Sequence, residues 1–438
     1  MTTGSPRCSL RILCVSPVFV PTADPEAFCG AKMVQALMQR GAAVTVLCSS
    51  NFRERPYDDS ALWDGVKKVT VDVPVPPLVN RMQSVTAASR FQTLSHPRWV
   101  RAAVQTAKLL HGAREFDLVY TRSLPTTSHI AGFWCAKILK LPWIANINDP
   151  WASQFFPVDG GPQLSHFWTT ENLFWLRRTI RSADLITFPC RRLMDFHLRL
   201  AKLNHPARVI PHIGYKSKRA DQRSDGHFRL VHAGRLLASE GRFGSALLVG
   251  LKAFLDSSAE AAADVKLILV GPGDGETEKL ISEMGLQQNI EIVGRVNYES
   301  SLDYIASASV CVLIESRVDE GIFFASKLAD YLAHGKPVLA LSPGIGTAAD
   351  LASRGELIRV DHNPNAVREA IAALYADFKS GALSLRNPSD QLQAELRGHT
   401  VADHFLATCR ALISTRSEGR ETRLERPKQQ EPLIEKFF

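Results

Sequence analysis

The chain has 438 residues, of which 45% are hydrophobic. This length exceeds one ordinary core and suits two globular domains of about 200 residues each. Lysine and arginine outnumber acidic residues by 52 to 44, giving a formal charge of +8. The excess favours phosphate-bearing partners, although a basic surface without a partner would look the same. No arginine-rich helix or aromatic-basic repeat indicates nucleic-acid recognition, and no apolar run reaches the roughly 18 residues of a membrane span.

The eight cysteines are scattered, with no CxxC pair and no histidines at metal-ligand spacing. Reduced thiols in a cytoplasm fit this pattern, and no metal site is expected. Arg7 and Arg11 near the apolar run ILCVSPVFV could imitate a short signal peptide, but Pro17 interrupts the run and a helical pattern follows. We therefore predict a first β-strand here and a cytoplasmic protein.

Apolar strands alternate with amphipathic helices through the first half of the chain. Strand RILCVS, helix AKMVQALMQRG and strand AVTVLCS form a βαβ opening, with Gly41 as the helix stop. Further strands are predicted at DLVYTR, PWIANIN, ADLITFP and ARVIPHIG, with helices among them. The alternation predicts a parallel sheet in a Rossmann-like domain over residues 1–213, followed by a charged linker over 214–226.

The second half repeats the same alternation from FRLVHAGRL onward. Strands VKLILVG, IEIVGRV, VCVLIES and VLAL follow, separated by helical segments. We predict a second doubly wound domain over residues 227–395, a C-terminal helix over 396–414 and a charged tail over 415–438. In such an arrangement a ligand lies at the carboxyl ends of the strands, in the cleft between the domains.

The stretch EGIFFASKLADYLAHGKPVLAL, residues 320–341, predicts a phosphate-binding turn that enters a helix and then a buried strand. Ala325 and Ser326 stand at the helix start, where unpaired N–H groups and the helix dipole attract anions. Lys327 adds a mobile positive charge. Asp330 falls on the same helical face, so that a phosphate and a ribose hydroxyl of one ligand are both within reach.

This segment resembles the donor-binding signature of the GT4 family, which are retaining glycosyltransferases with the GT-B architecture of two Rossmann-like domains. Many members carry a run similar to SKLxEYLAxGxPVLA. Asp330 stands where the family usually has Glu, and Ile322 stands where an upstream acid would fall, with Glu320 displaced by two residues. The resemblance implies a GT-B fold whose last helix crosses back to the first domain.

The same resemblance implies the reaction. A sugar passes from a nucleotide diphosphate donor to an acceptor hydroxyl with retention of configuration, by front-face transfer in which the departing phosphate helps to take the acceptor proton. No cofactor and no essential metal are implied. The expected partners are a nucleotide sugar and a glycan, lipid-linked or small-molecule acceptor, with no nucleic acid. The expected setting is glycan or glycolipid biosynthesis.

The resemblance extends to HAGRLLASEGR, where an Arg and a Lys of the family grip the donor diphosphate. Arg235 matches the Arg, and a guanidinium holds two phosphate oxygens in fork geometry. Glu240 stands at the Lys position and would repel a diphosphate, so Arg242 is the expected substitute. Both arginines could equally be surface charges. The segment IVGRV implies backbone contacts to the nucleobase near Arg295 and Val296.

Two further loops of the first domain resemble the family. The turn NDPW places Asp149 directly after a strand, where relatives orient a sugar hydroxyl, although Asp149 could also cap the following segment. The loop PVFVPTADPEAFCGAK contains Gly30, where relatives approach the donor phosphate through glycine-rich backbone. The predicted catalytic residues are Asp149, Arg235 and Lys327. The predicted donor-binding residues are Gly30, Gly234, Arg242, Gly273, Arg295, Val296, Glu320, Phe324, Ala325, Ser326 and Asp330.

Some alternatives stay open at this level. The stretches RFQTLSHPRWVRAAVQTAKLLH and HFWTTENLFWLRRTIR could form an apolar and cationic face that touches the inner face of a membrane, or they could be core helices with solvated arginines. A non-hydrolysing nucleotide-sugar epimerase would have the same fold, but no cluster of acids and histidines in the first half suggests it. The departures at Glu240 and Ile322 fit a non-catalytic subunit that binds a nucleotide sugar.

Overall fold

The fold is known from a computed structural model, which describes residues 9–49, 58–73, 97–151, 156, 166–219, 226–234, 236, 244–273 and 275–418. The strands of the first half are β1 (Arg11–Val15), β2 (Ala43–Ser49), β3 (Lys68–Val71), β4 (Leu118–Arg122), β5 (Trp143–Asn146), β6 (Leu185–Phe188) and β7 (Ala207–Val209). The helices of this half are α1 (Pro25–Gln39), α2 (Pro97–Arg114), α3 (Thr127–Leu139), α4 (His166–Ser182) and α5 (Arg191–Ala201). All strand pairs are parallel, in the order β3-β2-β1-β4-β5-β6-β7.

The second half builds a six-stranded parallel sheet in the order β10-β9-β8-β11-β12-β13. Its strands are β8 (Phe228–Ala233), β9 (Val265–Val270), β10 (Ile290–Gly294), β11 (Val310–Ile314), β12 (Val338–Leu341) and β13 (Ile358–Val360). The first helices around it are α6 (Ser245–Asp256), α7 (Ala259–Asp264), α8 (Gly275–Glu283), α9 (Tyr298–Ala306) and α10 (Ser326–Ala333). The remaining helices are α11 (Thr347–Ser353), α12 (Pro364–Ser380), α13 (Asp390–Glu395) and α14 (Gly398–Glu418).

Both sheets have their central strands covered on two sides, which explains the continuous apolar runs in the sequence. Residues 12–15 of β1 and residues 310–312 of β11 are fully buried. Successive strands are added toward one edge of the sheet and then toward the other, and this order reverses between β1 and β4 in the first sheet and between β8 and β11 in the second. Ligands of doubly wound folds bind at such switch points, beyond the carboxyl ends of the strands. The predicted GT-B fold, with two Rossmann-like sheets and a cleft, is confirmed.

The two halves share buried apolar contacts and a C-terminal helix. One cluster of buried apolar side chains runs through both, from Ile12 in β1 to Leu328 in α10 and Phe405 in α14. Helix α14 packs against α1, where Arg40 Nε donates to Asp403 Oδ1 at 2.7 Å. None of the described helices is both long and apolar enough to span a bilayer.

Helix α1 begins earlier than the apolar periodicity predicted. The sequence pattern suggested a start at Ala31, but the helix begins at Pro25. Asp24 caps it by accepting a hydrogen bond from Glu26 N, and Pro25 occupies the first helical position, where its missing N–H costs nothing. The early start places Glu26 and Gly30 inside a helix that begins at the cleft edge of the first sheet.

Candidate active site

Helix α10 starts at the carboxyl edge of the second sheet and presents its first turn there. Ala325 is the N-cap residue in an extended conformation, and no described side chain caps the first turn. Ser326 opens the helix and Lys327 follows it. Backbone N–H groups at such a start combine with the helix dipole to attract an anion.

The Lys327 side chain lies across the end of strand β8. Its Nζ is 3.4 Å from His232 Nε2. His232 is fully buried, and its Nδ1 lies 2.9 Å from the carbonyl oxygen of Val312. Because a carbonyl only accepts, Nδ1 carries the proton and Nε2 is left to accept from Lys327. The buried histidine therefore holds the lysine ammonium at the sheet edge.

Glycines let the backbone come close to this lysine. Gly234 has φ +129°, and a Cβ there would lie 2.4 Å from Lys327 Nζ. Gly271 has φ +133°, and its Cβ would lie 2.6 Å from the Gly234 carbonyl oxygen. The N–H of Gly271 donates to the carbonyl of Gly294 at 2.8 Å, so the ends of β8, β9 and β10 converge. Gly273, Arg295 and Val296 follow this edge directly, whereas Arg235 and Arg242 lie outside the described residues.

Asp330 is engaged by groups from both halves of the protein. Its carboxylate is buried, with Oδ1 at 3.1 Å from Lys32 Nζ of α1. Tyr298 OH donates to both carboxylate oxygens at 3.0 Å, and the backbone N–H of Tyr215 donates to Oδ1 at 2.9 Å. Burial and the Asp330 charge raise the pKa of Tyr298 well above its usual value, so the phenol remains a donor. The predicted ribose contact of Asp330 would have to replace part of this network.

Aromatic rings enclose the Lys32 ammonium. Lys32 Nζ lies 5.7 Å from the Tyr215 ring centroid and 5.5 Å from that of Tyr298, within the range of cation–π attraction. The Trp63 ring lies 5.3 Å from Tyr298. Asp58 accepts from Trp63 Nε1 at 2.9 Å and from the N–H of Tyr298 at 2.7 Å. The first domain thus reaches across the cleft at this point and contacts the second domain.

Glu320 takes part in a second contact between the halves. Its Oε1 accepts from Arg192 Nη1 of α5 at 2.8 Å. Arg192 also forms a two-point ion pair with Asp350, at 2.6 and 2.7 Å. Hydrogen bonds to the two carboxylates raise the pKa of Arg192 above its usual value. The cleft is therefore closed at a second point, by charged side chains that are partly exposed.

Phe324 lies buried beneath the cleft and stacks on His212, with ring centroids 6.0 Å apart and an interplanar angle of 16°. Burial lowers the pKa of His212 well below its usual value, and the positive charges of Arg122 and Lys32 lower it further. His212 is therefore neutral at physiological pH. Its neutral ring packs beside Phe324, in the segment that leads into helix α10.

In the first domain, the site is a buried polar cluster at the ends of β4 and β5. Glu26, in the first turn of α1, accepts from Asn148 Nδ2 at 2.7 and 2.8 Å and lies 3.5 Å from Arg122 Nη2. Burial raises the pKa of Glu26 to about 8, and the charge of Asp149 raises it further, against the lowering effects of Arg122 and Asn148. At neutral pH, Glu26 is therefore mostly a neutral acid close to the half-buried Asp149.

Two buried histidines fix the turn that carries Asp149. The backbone N–H of Trp151 donates to His197 Nε2 at 3.1 Å, and the Trp151 ring stacks on His129 at 5.3 Å. Burial lowers the pKa of His129 to about 3 and that of His197 to about 4, so both stay neutral. These histidines are structural, and they anchor the chain two residues after Asp149.

Gly30 does not lie in a loop, as the sequence suggested. It lies within α1, where a Cβ would come within 3.3 Å of the Phe19 ring and 3.5 Å of Arg122 Nε. The missing side chain lets the helix pack closely on Phe19 and Arg122. Because the residue is helical, the expected open glycine-rich backbone is not present at this position. Its contact with a donor phosphate stays a prediction.

Four residues of this site were not predicted from the sequence, namely Glu26, Lys32, Arg122 and His212. A signal existed for three of them: Glu26 follows an Asp-Pro pair, Lys32 interrupts the apolar face of a predicted helix, and Arg122 ends an apolar strand. A charged side chain in such a position is buried only when paired. The Asp-Pro-Glu sequence at Glu26 also indicated a helix start.

Family models and solved structures agree with this architecture. A model described as glycosyl transferases group 1 matches residues 227–377, and one described as a glycosyl transferase 4-like domain matches residues 30–212. No curated protein sequence matches the chain.

Similar solved structures cover nearly the whole chain. Sucrose-phosphate synthase from Thermosynechococcus elongatus superimposes with a TM-score of 0.64 at 17% identity, covering 93% of this chain and all of that one. HepE from Anabaena in complex with UDP and glucose has a TM-score of 0.63 at 16% identity, covering 92% of this chain and all of that one. A Listeria monocytogenes protein described as a UDP-N-acetylglucosamine 2-epimerase has a TM-score of 0.59 at 14% identity, covering 95% and 98%. The two family models together identify this chain as a glycosyltransferase, and the similar solved structures show that its fold is of the GT-B class.

Proposed function

We propose that the protein is a retaining glycosyltransferase of the GT4 type, which transfers a sugar from a nucleotide diphosphate to an acceptor hydroxyl in glycan or glycolipid biosynthesis. One observation carries the proposal: Lys327 Nζ is held over the end of β8 at the start of α10. A lysine and a helix start directed at one place form an anion site. The UDP bound to HepE, on the same fold, supports a nucleotide diphosphate as that anion.

The proposed chemistry is a front-face displacement. The bond between sugar C1 and the β-phosphate oxygen breaks, and the acceptor oxygen bonds to C1 on the same face while its proton passes to the departing phosphate. Lys327 and the N–H groups at the start of α10 stabilise the charge that develops on the diphosphate. Arg235 and Arg242 are proposed to add positive charge there. As the resemblance implies, no metal takes part.

Asp149 and Glu26 are proposed to hold the acceptor side of the reaction. Asp149 orients a hydroxyl of the sugar or acceptor. Glu26, as a neutral acid beside it, avoids the repulsion that two carboxylates in one buried cluster would create. The contacts between the halves at Asp330 and Arg192 are proposed to hold the cleft closed around the donor, so that water is excluded and hydrolysis of the donor is limited.

A non-catalytic subunit that binds a nucleotide sugar is the second candidate, and two departures from the family pattern favour it: Glu240 at the expected Lys position and Ile322 at the expected acid position. The fold itself does not discriminate between the candidates, because the epimerase-like neighbour shares it.

The test is an activity assay with UDP-, GDP- and ADP-sugars, followed by NMR of the anomeric protons in the presence of candidate acceptor sugars and lipids. Transfer with the anomeric configuration of the donor preserved supports the proposal. An inverted product overturns the retaining mechanism, and an epimerised donor identifies the epimerase reaction. Saturable binding of a nucleotide sugar without any turnover supports the non-catalytic subunit.

A further inference from the structure

Helices α2, α3 and α4 form a basic layer on one side of the first sheet. The connections β3-α2-β4, β4-α3-β5 and β5-α4-β6 all advance in the same direction along the sheet, and right-handed crossovers therefore place the three helices on one side. The sequences of these helices contain eight lysines and arginines but a single acidic residue, Glu171. The layer thus accounts for most of the net positive charge of the chain.

Large apolar side chains are exposed on the same layer. Trp134 is 40% exposed, Ile138 45% and Phe174 56%. Leu109 on α2 is 77% exposed, so four of the eight large apolar side chains found exposed among the described residues lie on these three helices. Isolated exposed apolar residues are normal on protein surfaces, but a concentration on one layer indicates a contact surface.

The apolar and basic side chains of α3 and α4 are contiguous. Lys137 Nζ lies 5.5 Å from the Trp134 ring centroid, and the Arg178 guanidinium of α4 lies 4.7 Å from the Phe133 ring of α3. Phe174 is one helical turn before Arg178, on the same exposed face of α4. We call Trp134, Lys137, Ile138, Phe174 and Arg178 the α3–α4 patch.

We infer that the α3–α4 patch is a docking surface for a bilayer of anionic lipids. Tryptophan and phenylalanine side chains enter the headgroup region of a bilayer, and neighbouring lysines and arginines attract anionic headgroups. The cores of protein–protein interfaces are depleted in lysine, which disfavours a protein partner here. The charge of the layer, with one acid among eight basic residues, complements an anionic surface. The inference does not depend on glycosyl transfer.

The patch lies beside the cleft and does not block it. Helix α3 begins at Thr127, just after the carboxyl end of β4, and runs away from the cleft. Trp134 lies seven residues and Ile138 eleven residues further along, which corresponds to roughly 10 and 17 Å of helix. A bilayer against the patch therefore leaves the entrance at the strand ends accessible.

The test is flotation of the full-length protein with vesicles of phosphatidylcholine alone and of phosphatidylcholine mixed with phosphatidylglycerol. We expect binding only to the mixed vesicles, weakened by added salt. Replacing Lys137 and Arg178 together by Gln should reduce the partition coefficient at least about tenfold, since each basic residue near an anionic surface contributes about fivefold. Replacing Trp134 and Phe174 by Ser should also reduce it.

Matched controls come from the second domain. Leu385→Ser removes an apolar side chain that is 84% exposed, and Lys279→Gln removes an exposed positive charge on α8. Neither should change the partition, and circular dichroism should show that every variant is folded. Absence of binding to both vesicle types overturns the inference, as does an equal loss in the control variants. Sedimentation showing a dimer that the patch variants dissociate would identify a second copy as the occupant and would also overturn it.

Discussion

Glu26 is the residue whose chemistry depends most on the fold. In the sequence it is one acid in a helix start, but in the structure burial raises its pKa from 4.5 to about 8. Between these two values the unfolded chain has ionised Glu26 while the folded protein keeps it protonated. The folded state binds the extra proton, so its stability falls as pH rises through this range.

We predict that Glu26→Gln reduces this pH dependence. The free energy of unfolding is measured with urea from the acidic to the alkaline end of this range. In Glu26→Gln it should fall less steeply with rising pH than in the original protein, by at most about 1.4 kcal/mol per pH unit. Glu276→Gln, at an exposed position on α8, should keep the slope of the original protein. An unchanged slope in Glu26→Gln would show that Glu26 is ionised in the fold.

Asp149 should matter for turnover more than for donor binding. We predict that Asp149→Asn lowers kcat about 100-fold, the loss expected when a reacting hydroxyl is misplaced by about 1 Å, while the Kd for the nucleotide diphosphate changes little. The effects on kcat and on donor affinity are expected to separate because Asp149 belongs to the first-domain cluster with Glu26, whereas Lys327, the proposed donor-binding residue, lies in the second domain. Steady-state kinetics and calorimetry separate the two effects. A larger loss in donor affinity than in kcat would make Asp149 a donor-binding residue.

Sequence reasoning located the residues of the second domain that lie close together in the chain. One example is the helix start formed by Ala325, Ser326 and Lys327, which are consecutive residues and therefore produce a local sequence pattern. It did not find the partner of Asp330, because Lys32 is 298 positions away and only the packing of α1 against the second domain brings them together. The loop conformation expected at Gly30 was wrong, because the helix begins at Pro25, six residues before the predicted start at Ala31.

At the scale of elements, α1 and α10 are joined by a buried ion pair. The Lys32 and Asp330 side chains are 1% and 5% exposed. Removing one partner of such a pair leaves an uncompensated buried charge, which costs about 3–5 kcal/mol. We predict this loss of unfolding free energy for Lys32→Met. The double variant Lys32→Met, Asp330→Asn should be more stable than Lys32→Met alone by more than about 1 kcal/mol of unfolding free energy, because the uncompensated charge of Asp330 is then also removed.

A double-mutant cycle measured by urea unfolding gives the coupling between Lys32 and Asp330. Arg386→Ala, which removes a more exposed ion pair with Asp377 within the second domain, provides a baseline for a pair that does not join the halves. If the losses from Lys32→Met and Asp330→Asn simply add, the two side chains do not act as a pair in solution.

Elements were predicted best where periodicity and stop signals coincide. The segment from α10 to β12 has a helical apolar face, a glycine after the helix and a short apolar strand, and all three appear in the structure. The strands β3 and β13 were missed. Each is three or four residues long and lies at a sheet edge, and residues such as Lys68 and Arg359 remove the apolar signal there.

At the scale of the whole molecule, the alternation of strands and helices was enough to predict two Rossmann-like domains. This alternation contained no information on how closely the two domains approach each other, because their contact depends on side chains from segments that are distant in the sequence. Arg192 is an example, because it pairs with Glu320 and Asp350 across the cleft. No local sequence pattern around Arg192 distinguishes it from the arginines of α4, which form no ion pair across the cleft among the described residues.

We predict that Arg192→Ala loosens the closed arrangement. Small-angle scattering should show a larger radius of gyration for this variant than for the original protein in the absence of nucleotide, because the contact of α5 with Glu320 and Asp350 is lost. The same Arg386→Ala variant should keep the original radius. Identical scattering from Arg192→Ala and the original protein would show that these ion pairs do not hold the halves together.

The central claim is that Lys327 and the start of α10 bind the diphosphate of a nucleotide sugar. It is tested most directly by calorimetric titration of the original protein, Lys327→Ala and Lys279→Ala with UDP, GDP, ADP and their sugar conjugates. We expect saturable binding of one nucleotide family, weakened about 10- to 100-fold in Lys327→Ala, as for the loss of a charged hydrogen bond, and unchanged in Lys279→Ala. Equal affinity in the original protein and Lys327→Ala, or no binding of any nucleotide, would contradict the claim.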